Sequence, residues 1–351
     1  MKTTKLVLKV LFVSILISSC SDNDSVGEIL DTYTDGVLIS AEGNFGDKDG
    51  SISFVSDDYS IASNFIYSKS NEAQLGGLIQ SIAFSEDKAY VILNDANTIV
   101  VVDKYTFKKE AVITEGFEDP RYMEIVGDFG YVTNWGDTTN ETDDYIAIID
   151  LKSNTVSSTI PVELGPERIV KNYDKLYVSH KGAFGVNNII SVIDINSPNN
   201  IETITVKDSP DELLINSAGD LVVLSEGKQE WAKGDDGWYI ASETKGAIHT
   251  IDLNTNTVIK TIEFADGVHP NLLAIDNGNI YYHIGYQGVF RIAETASELS
   301  QESAISTDNL YGLNVKNDLV YGVQYSFTKL SKLTVTDALT KSVVYSTAVG
   351  L

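Results

Sequence analysis

Cysteine is all but absent from this chain, with Cys20 alone among 351 residues. No disulfide can form within one chain, so the fold must rest on core packing. Histidine is scarce as well: His180, His249, His269 and His283 are the four, and no two stand at a metal-ligand spacing. Together with the missing cysteines this excludes zinc and haem motifs. Basic residues are outnumbered, 25 Lys and Arg against 50 Asp and Glu, for a net charge of −25. A surface of that sign repels phosphate backbones and anionic headgroups, which argues against nucleic acid and against direct docking on lipid. No stretch sustains an apolar period of 3.6 residues, and this excludes a helix-rich enzyme fold. The apolar run from Val10 to Ile17 is too short to remain in a bilayer as a helix.

That run follows Lys2, Lys5 and Lys9 and precedes Ser18-Ser19-Cys20, the layout of a secretory signal. Cys20 behind Ile17-Ser18-Ser19 resembles a bacterial lipobox. The resemblance implies a signal peptide over 1–19 and lipidation of Cys20, with a cleaved, freely secreted protein as the alternative. A flexible tether over 20–35 opens with Ser21-Asp22-Asn23-Asp24-Ser25, which resembles the surface-export signal of Bacteroidetes lipoproteins. Asp24-Ser25-Val26 resembles the O-glycosylation sequon of that phylum. The implied address is the outer membrane, reached through the lipid alone and facing the exterior. Without its three leader lysines the mature chain carries 22 bases against 50 acids, a net −28, which mostly serves solubility.

What the remaining 36–351 do contain is a repeat. Tyr131-Val132-Thr133-Asn134 has counterparts in Ala89-Tyr90-Val91-Ile92, Leu176-Tyr177-Val178-Ser179, Leu221-Val222-Val223-Leu224, Ile280-Tyr281-Tyr282-His283 and Leu319-Val320-Tyr321-Gly322. A second strand ending in Asp103, Asp150, Asp194 or Asp252 follows, then a polar turn and a β-branched strand. Each unit closes on a proline strand at Pro120, Pro166, Pro210 or Pro270, where the missing N–H breaks no ladder bond. Four short strands per unit of about 40 to 45 residues predict the blades of a β-propeller. With an N-terminal unit from Gly36 to Phe84 the count is seven: an all-β seven-bladed propeller of four-stranded antiparallel blades. The last unit has no closing proline strand of its own, so the ring is expected to shut by borrowing a strand from the N-terminal end, which removes sheet edges.

Strand parity then selects a face. If the proline strand is innermost, the loops after each second strand and those entering each inner strand emerge on the same side of the disc. The first set supplies Asn44 and Phe45, Asn94, Asn134 and Trp135, His180, Glu226 with Trp231 and Trp238, Tyr286, and Tyr325. The second supplies Arg121 and Arg168. These are the candidate ligand-binding residues. Aromatic rings with amide and guanidinium groups around one funnel suit a large, flat ligand with polar edges; packing between loops is the competing role for each ring. The insertion from Glu226 to Lys245, with both Trp231 and Trp238, is expected to rise above the disc as a flap. Gly136 to Asp144 forms a second, acidic insertion.

No catalytic residue and no metal site is assigned. Asp47-Lys48-Asp49-Gly50 starts like a calcium loop but lacks the later ligands and the distant Glu, and so reads as a turn. Asp103, Asp150, Asp194 and Asp252 repeat in register, as turn residues do. A binding protein rather than an enzyme is expected, with no intrinsic cofactor.

The Tyr-Val-Thr-Asn element with its Ile-Ile-Asp and Pro-Glu-Arg companions resembles the YVTN-type propeller family. Ile39-Ser40-Ala41-Glu42-Gly43-Asn44-Phe45, Leu75-Gly76-Gly77 and Pro120-Arg121-Tyr122 narrow the resemblance to Bacteroidetes surface lipoproteins. That implies capture of cobalamin first, or a ferric siderophore second, for delivery to a TonB-dependent outer-membrane transporter. No ligand residue is carried over, and Ala41 and the Trp-bearing insertion depart from the pattern. The reading from a different class is a protein-interaction or adhesion scaffold with no small ligand.

Overall fold

A computed structural model describes residues 32–350 apart from 138, 235, 236 and 327; the expected signal segment and Cys20 lie outside the described residues. The protein is an all-β propeller of seven blades, mostly four-stranded and antiparallel. Blade 1 comprises β1 (Gly36–Ala41), β2 (Ser51–Ser56) and β3 (Ala62–Ser63), and a short helix, α1 (Ile66–Asn71), leads out of it. Blade 2 is β4 (Ile79–Phe84), β5 (Lys88–Leu93), β6 (Thr98–Asp103) and β7 (Lys109–Ile113). Blade 3 is β8 (Pro120–Val126), β9 (Phe129–Asn134), β10 (Tyr145–Asp150) and β11 (Thr155–Pro161). Blade 4 is β12 (Pro166–Asn172), β13 (Lys175–His180), β14 (Ile189–Asp194) and β15 (Ile201–Thr205).

Blade 5 starts with β16 (Pro210–Ile215) and β17 (Leu221–Ser225). A separate hairpin interrupts it, β18 (Gln229–Gly234) with β19 (Gly237–Glu243), before β20 (Ala247–Asp252) and β21 (Thr257–Glu263) complete the sheet. Blade 6 is β22 (Pro270–Asp276), β23 (Asn279–Ile284) and β24 (Gly288–Ala293); blade 7 is β25 (Gly312–Lys316), β26 (Leu319–Gln324), β27 (Ser331–Asp337) and β28 (Val343–Val349).

The middle strands read as unbroken apolar runs because neighbouring blades cover both of their faces. Tyr90, Ile92, Ile99 and Val101 of blade 2 pack on Met123, Val132, Ala147 and Ile149 of blade 3 in one cluster. Each such side chain contributes about 1.5–3 kcal/mol by burial. Outer strands such as β11 and β21 face solvent and stay polar or β-branched. The recurring aspartates are turn residues, as expected: Asp103 accepts from the backbone N–H of Thr106 at 2.7 Å and Asp252 from that of Asn254 at 2.8 Å.

Ring closure departs from expectation. Among the described residues no sheet combines strands from the two ends of the chain; blade 7 is four-stranded from its own residues, and blade 1 has three strands. The ring is shut by packing and hydrogen bonds instead. Ile39 and Val55 join Leu333, Val335 and Val349 in one cluster. Tyr59 stacks on Tyr345 with centroids 4.6 Å apart, and the Gly350 N–H donates to Ser53 Oγ at 3.0 Å. Interdigitated side chains thus do what a shared ladder was expected to do.

Candidate functional site

The first residues of the inner strands reach the channel because the chain bulges there. After Pro120, Pro166 and Pro210 the register slips, so two residues stand opposite one on the neighbouring strand. A bulge bends the strand and re-aims side chains, here Arg121-Tyr122, Glu167-Arg168 and Asp211-Glu212. In β4 and β22 the slip leaves a single extra residue, Gln80 and Asn271. Side chains of the adjoining strand lock the first two bulges. Thr133 Oγ1 accepts from the Tyr122 N–H at 3.0 Å and donates to Glu167 O of the next blade at 2.7 Å. Ser179 Oγ repeats the arrangement, with the Arg168 N–H at 3.0 Å and Asp211 O at 2.8 Å. The third residue of the Tyr-Val-Thr-Asn element is therefore an inter-blade clasp.

These side chains form a chain of ion pairs in a cavity of about 550 Å³ at one mouth of the channel. Arg121 Nε is 3.1 Å from Glu167, and the guanidinium lies 3.8 Å from the ring centroid of Trp135. Arg168 Nη2 is 2.6 Å from Glu212, and its guanidinium lies 4.1 Å from the Tyr122 ring centroid. Lys181 Nζ bridges Asp211 at 2.8 Å and Glu226 at 3.0 Å. Asp119 is 3.5 Å from Arg121. Five carboxylates thus face three cations. Burial pushes Glu226 up to about 7 and also raises Glu167 and Glu212, despite the cations beside them. Burial works against Asp211 too, but attraction to Lys181 and Arg168 outweighs it and holds that carboxyl low.

Of the expected contacts, the cavity gathers Asn94, Arg121, Arg168 and Glu226, along with Glu42, Asn271 and Tyr311. Tyr325 stands at this mouth through an edge contact with Tyr311, centroids 5.6 Å apart, and Tyr311 Oη donates to Glu42. Phe45 and Tyr286 are strongly exposed, at 81% and 88%. Trp135 sits beneath Arg121 and against Phe184, outside the channel cavity, in a side pocket.

Three of the expected ligand residues already have partners within the fold. His180 is fully buried, its Nε2 paired with Ser191 Oγ at 2.8 Å and its Nδ1 with Leu164 O at 3.2 Å; burial pushes it down to about 4, so it packs as a neutral ring. Asn134 is fully buried, bonded to the Glu118 N–H and to Val132 O, and braces the backbone. Asn44 is held by Asp49 across its own turn. His180 and Asn134 end β13 and β9, but neighbouring groups within the fold claim their polar atoms. Sequence reasoning passed over Glu167, Asp211 and Tyr122; their signal was a place in the two positions behind a repeated proline.

The insertion in blade 5 is an ordered hairpin. Trp231 pairs with Ile240 and Lys233 with Trp238, so both tryptophans share one face. They are 57% and 67% exposed. The hairpin springs from the residues next to Glu226, and its base is tied down by the Lys228 N–H to Thr244 Oγ1 at 2.9 Å and by His269 Nδ1 on Glu226 O at 2.8 Å.

No curated protein matches the chain. Among solved structures it is similar to the dihydro-heme d1 dehydrogenase NirN in complex with DHE, at 14% identity and a TM-score of 0.56, over 92% of this chain and 74% of NirN. It is also similar to the hydrazine synthase of Kuenenia stuttgartiensis, at 15% identity and a TM-score of 0.52 over 74% and 76% of the two chains. The computationally designed Ika8 protein matches at 11% identity and a TM-score of 0.56, over 92% and 88%. At these identities the likeness is one of fold. The model of a domain of unknown function, DUF5074, matches residues 35–218, just over half the chain from blade 1 into blade 5, and the protein therefore belongs to the DUF5074 family.

Proposed function

We propose that this protein is a surface lipoprotein that captures a large polar cofactor over the charged mouth of its channel, cobalamin first and a ferric siderophore second, and hands it to a TonB-dependent outer-membrane transporter. The observation that carries the reading is the convergence of five carboxylates and three cations at one mouth, beside the exposed ring of Tyr311 and its neighbour Tyr325. Rings supply contact area at low entropic cost, and buried polar groups fix orientation. The excess of carboxylates ranks the ligands. A corrinoid presents amide N–H donors that match carboxylate acceptors, whereas an anionic ferric catecholate meets like charge. The address and the transporter rest on the lipobox-like leader and the opening motif. The reading assigns binding and no reaction.

A second reading has an observation of its own: the exposed face of Trp231, Trp238 and Ile240 favours a protein partner. Calorimetry of the protein from Ser21 onward against cyanocobalamin, cobinamide and a ferric catecholate separates the two. Saturable binding of a corrinoid at one site is expected; silence towards all three ligands sinks the capture reading and leaves the scaffold.

A further inference from the structure

Asn271 reaches the charged mouth from the single-residue bulge of β22, and one buried side chain decides which way its amide faces. In blades 3, 4 and 6 the proline that opens the inner strand pairs with Asn134, His180 and Ile284. The residue before each of these is Thr133, Ser179 or His283, so His283 holds the place of the two clasps. Thr133 and Ser179 grip main-chain atoms on both sides. An imidazole reaches further. Towards blade 7, His283 Nε2 meets the Leu310 N–H at 3.2 Å, and within its own blade Nδ1 meets the side-chain oxygen of Asn271 at 2.7 Å.

The fixed donor sets the direction of these bonds. A backbone N–H only donates, so Nε2 must offer its lone pair to Leu310, and a neutral ring then carries its proton on Nδ1. Asp308 O also lies 3.3 Å from Nε2, but a nitrogen already accepting from Leu310 has no proton to give it. His283 is fully buried, and burial lowers its pKa, which keeps the ring neutral. With Asn271 Oδ1 accepting from Nδ1–H, the amide nitrogen is left to the cavity and has no partner among the described residues. The cations of the mouth are committed already: Arg121 to Glu167, Arg168 to Glu212, and Lys181 to Asp211 and Glu226.

We propose that His283 locks the Asn271 amide with its N–H donors towards the cavity, and that Asn271 thereby selects a ligand edge bearing primary carboxamides. The carboxamide oxygen accepts from Asn271 Nδ2, and its NH2 donates to a carboxylate of the adjoining blade, Glu212 or Glu226, which lines the same cavity. His283 is a positioning residue that the ligand never touches. The ligand class rests on the capture reading, whereas the lock stands without it.

Nitrogen-15 NMR of the histidine-labelled protein from Ser21 onward reads the tautomer, with His283→Gln identifying the signal among the four histidines. A proton on Nδ1 is expected. Calorimetry with cyanocobalamin reads the selection. Asn271→Asp keeps the acceptor for His283 but turns the donor into a second acceptor, and should weaken binding by roughly tenfold or more at an unchanged melt. Gln80→Glu adds the same charge at the matching bulge of blade 2, and should weaken it by less than about threefold. A proton on Nε2 overturns the lock whatever binds, since the amide would then turn its oxygen to the cavity. Cyanocobalamin affinity that Asn271→Asp leaves unchanged, or lowers no more than Gln80→Glu does, overturns the selection. A parent protein that binds no corrinoid sinks the capture reading and the carboxamide edge with it, and the tautomer then decides the lock alone.

Discussion

The two sides of the channel are built from the same strand and do different things. Blades 3, 4 and 5 present doublets, Arg121-Tyr122, Glu167-Arg168 and Asp211-Glu212, whose charges pair from each blade to the next. Blades 2 and 6 present single amides, Gln80 and Asn271, and blade 7 presents Tyr311. The difference lies in the bulge. Where two residues oppose one, both side chains are delivered to the axis and a cation can reach the acid next door. Where one residue is squeezed out, a neutral group suffices. The lesson is that backbone register, more than composition, sets where a propeller concentrates charge.

The contrast can be broken first at Arg121. Replacing it by Ala strands the Glu167 carboxylate in a buried site, and a loss of about 3–5 kcal/mol is expected in chemical denaturation; adding Glu167→Gln should recover part of it. A loss no greater than that of a substitution on the neutral side would erase the distinction. On the ligand side, Trp231→Ala or Trp238→Ala should weaken capture by about 1–3 kcal/mol in calorimetry while the melt stays within about 0.5 kcal/mol of the parent. Unaltered affinity in both removes the hairpin from the site.

The acid excess sharpens the comparison through pH. Glu226 has its carboxyl raised to about 7, chiefly by burial, so its contribution to stability is present below the ordinary glutamate range and lost as pH rises through about 7. Over pH 5 to 7 the parent should lose up to about 1 kcal/mol per pH unit relative to Glu226→Gln. His180 and His249, both pushed down to about 4 by burial, act oppositely by losing stability as pH falls towards 4, which is why the difference between the two proteins is the quantity to measure. Parallel curves would mean that Glu226 stays ionised throughout. The smallest effect belongs to the neutral side: Gln80→Ala, which gives up one 3.3 Å contact with Tyr122 Oη, should cost about 0.5 kcal/mol or less by thermal melt.

The blades were legible because burial on both faces leaves an unmistakable trace, runs such as Ile99-Val100-Val101-Val102 closed by Asp103 and spaced by prolines. The face was legible from strand parity, which brings Asn94, Arg121, Arg168 and Glu226 together although they come from four blades. Ring closure was not, because packing between Tyr59 and Tyr345 leaves no periodic mark, unlike a ladder. His180 and Asn134 misled for a related reason. A polar residue at a strand exit looks alike in sequence whether it faces solvent or turns inward onto a backbone group, and here Ser191, Leu164 and Val132 draw both side chains inward.

Thr133 and Ser179 have a consequence for how such a ring can be reprogrammed. Their hydroxyls grip only main-chain atoms of the kinked segments, so the geometry of those segments is indifferent to which side chains they carry. Residues 121–122, 167–168 and 211–212 thus behave as interchangeable cassettes on a fixed frame, and a designer could swap matched pairs of opposite sign between adjacent blades to reshape selectivity while the hydrophobic layers beneath remain untouched.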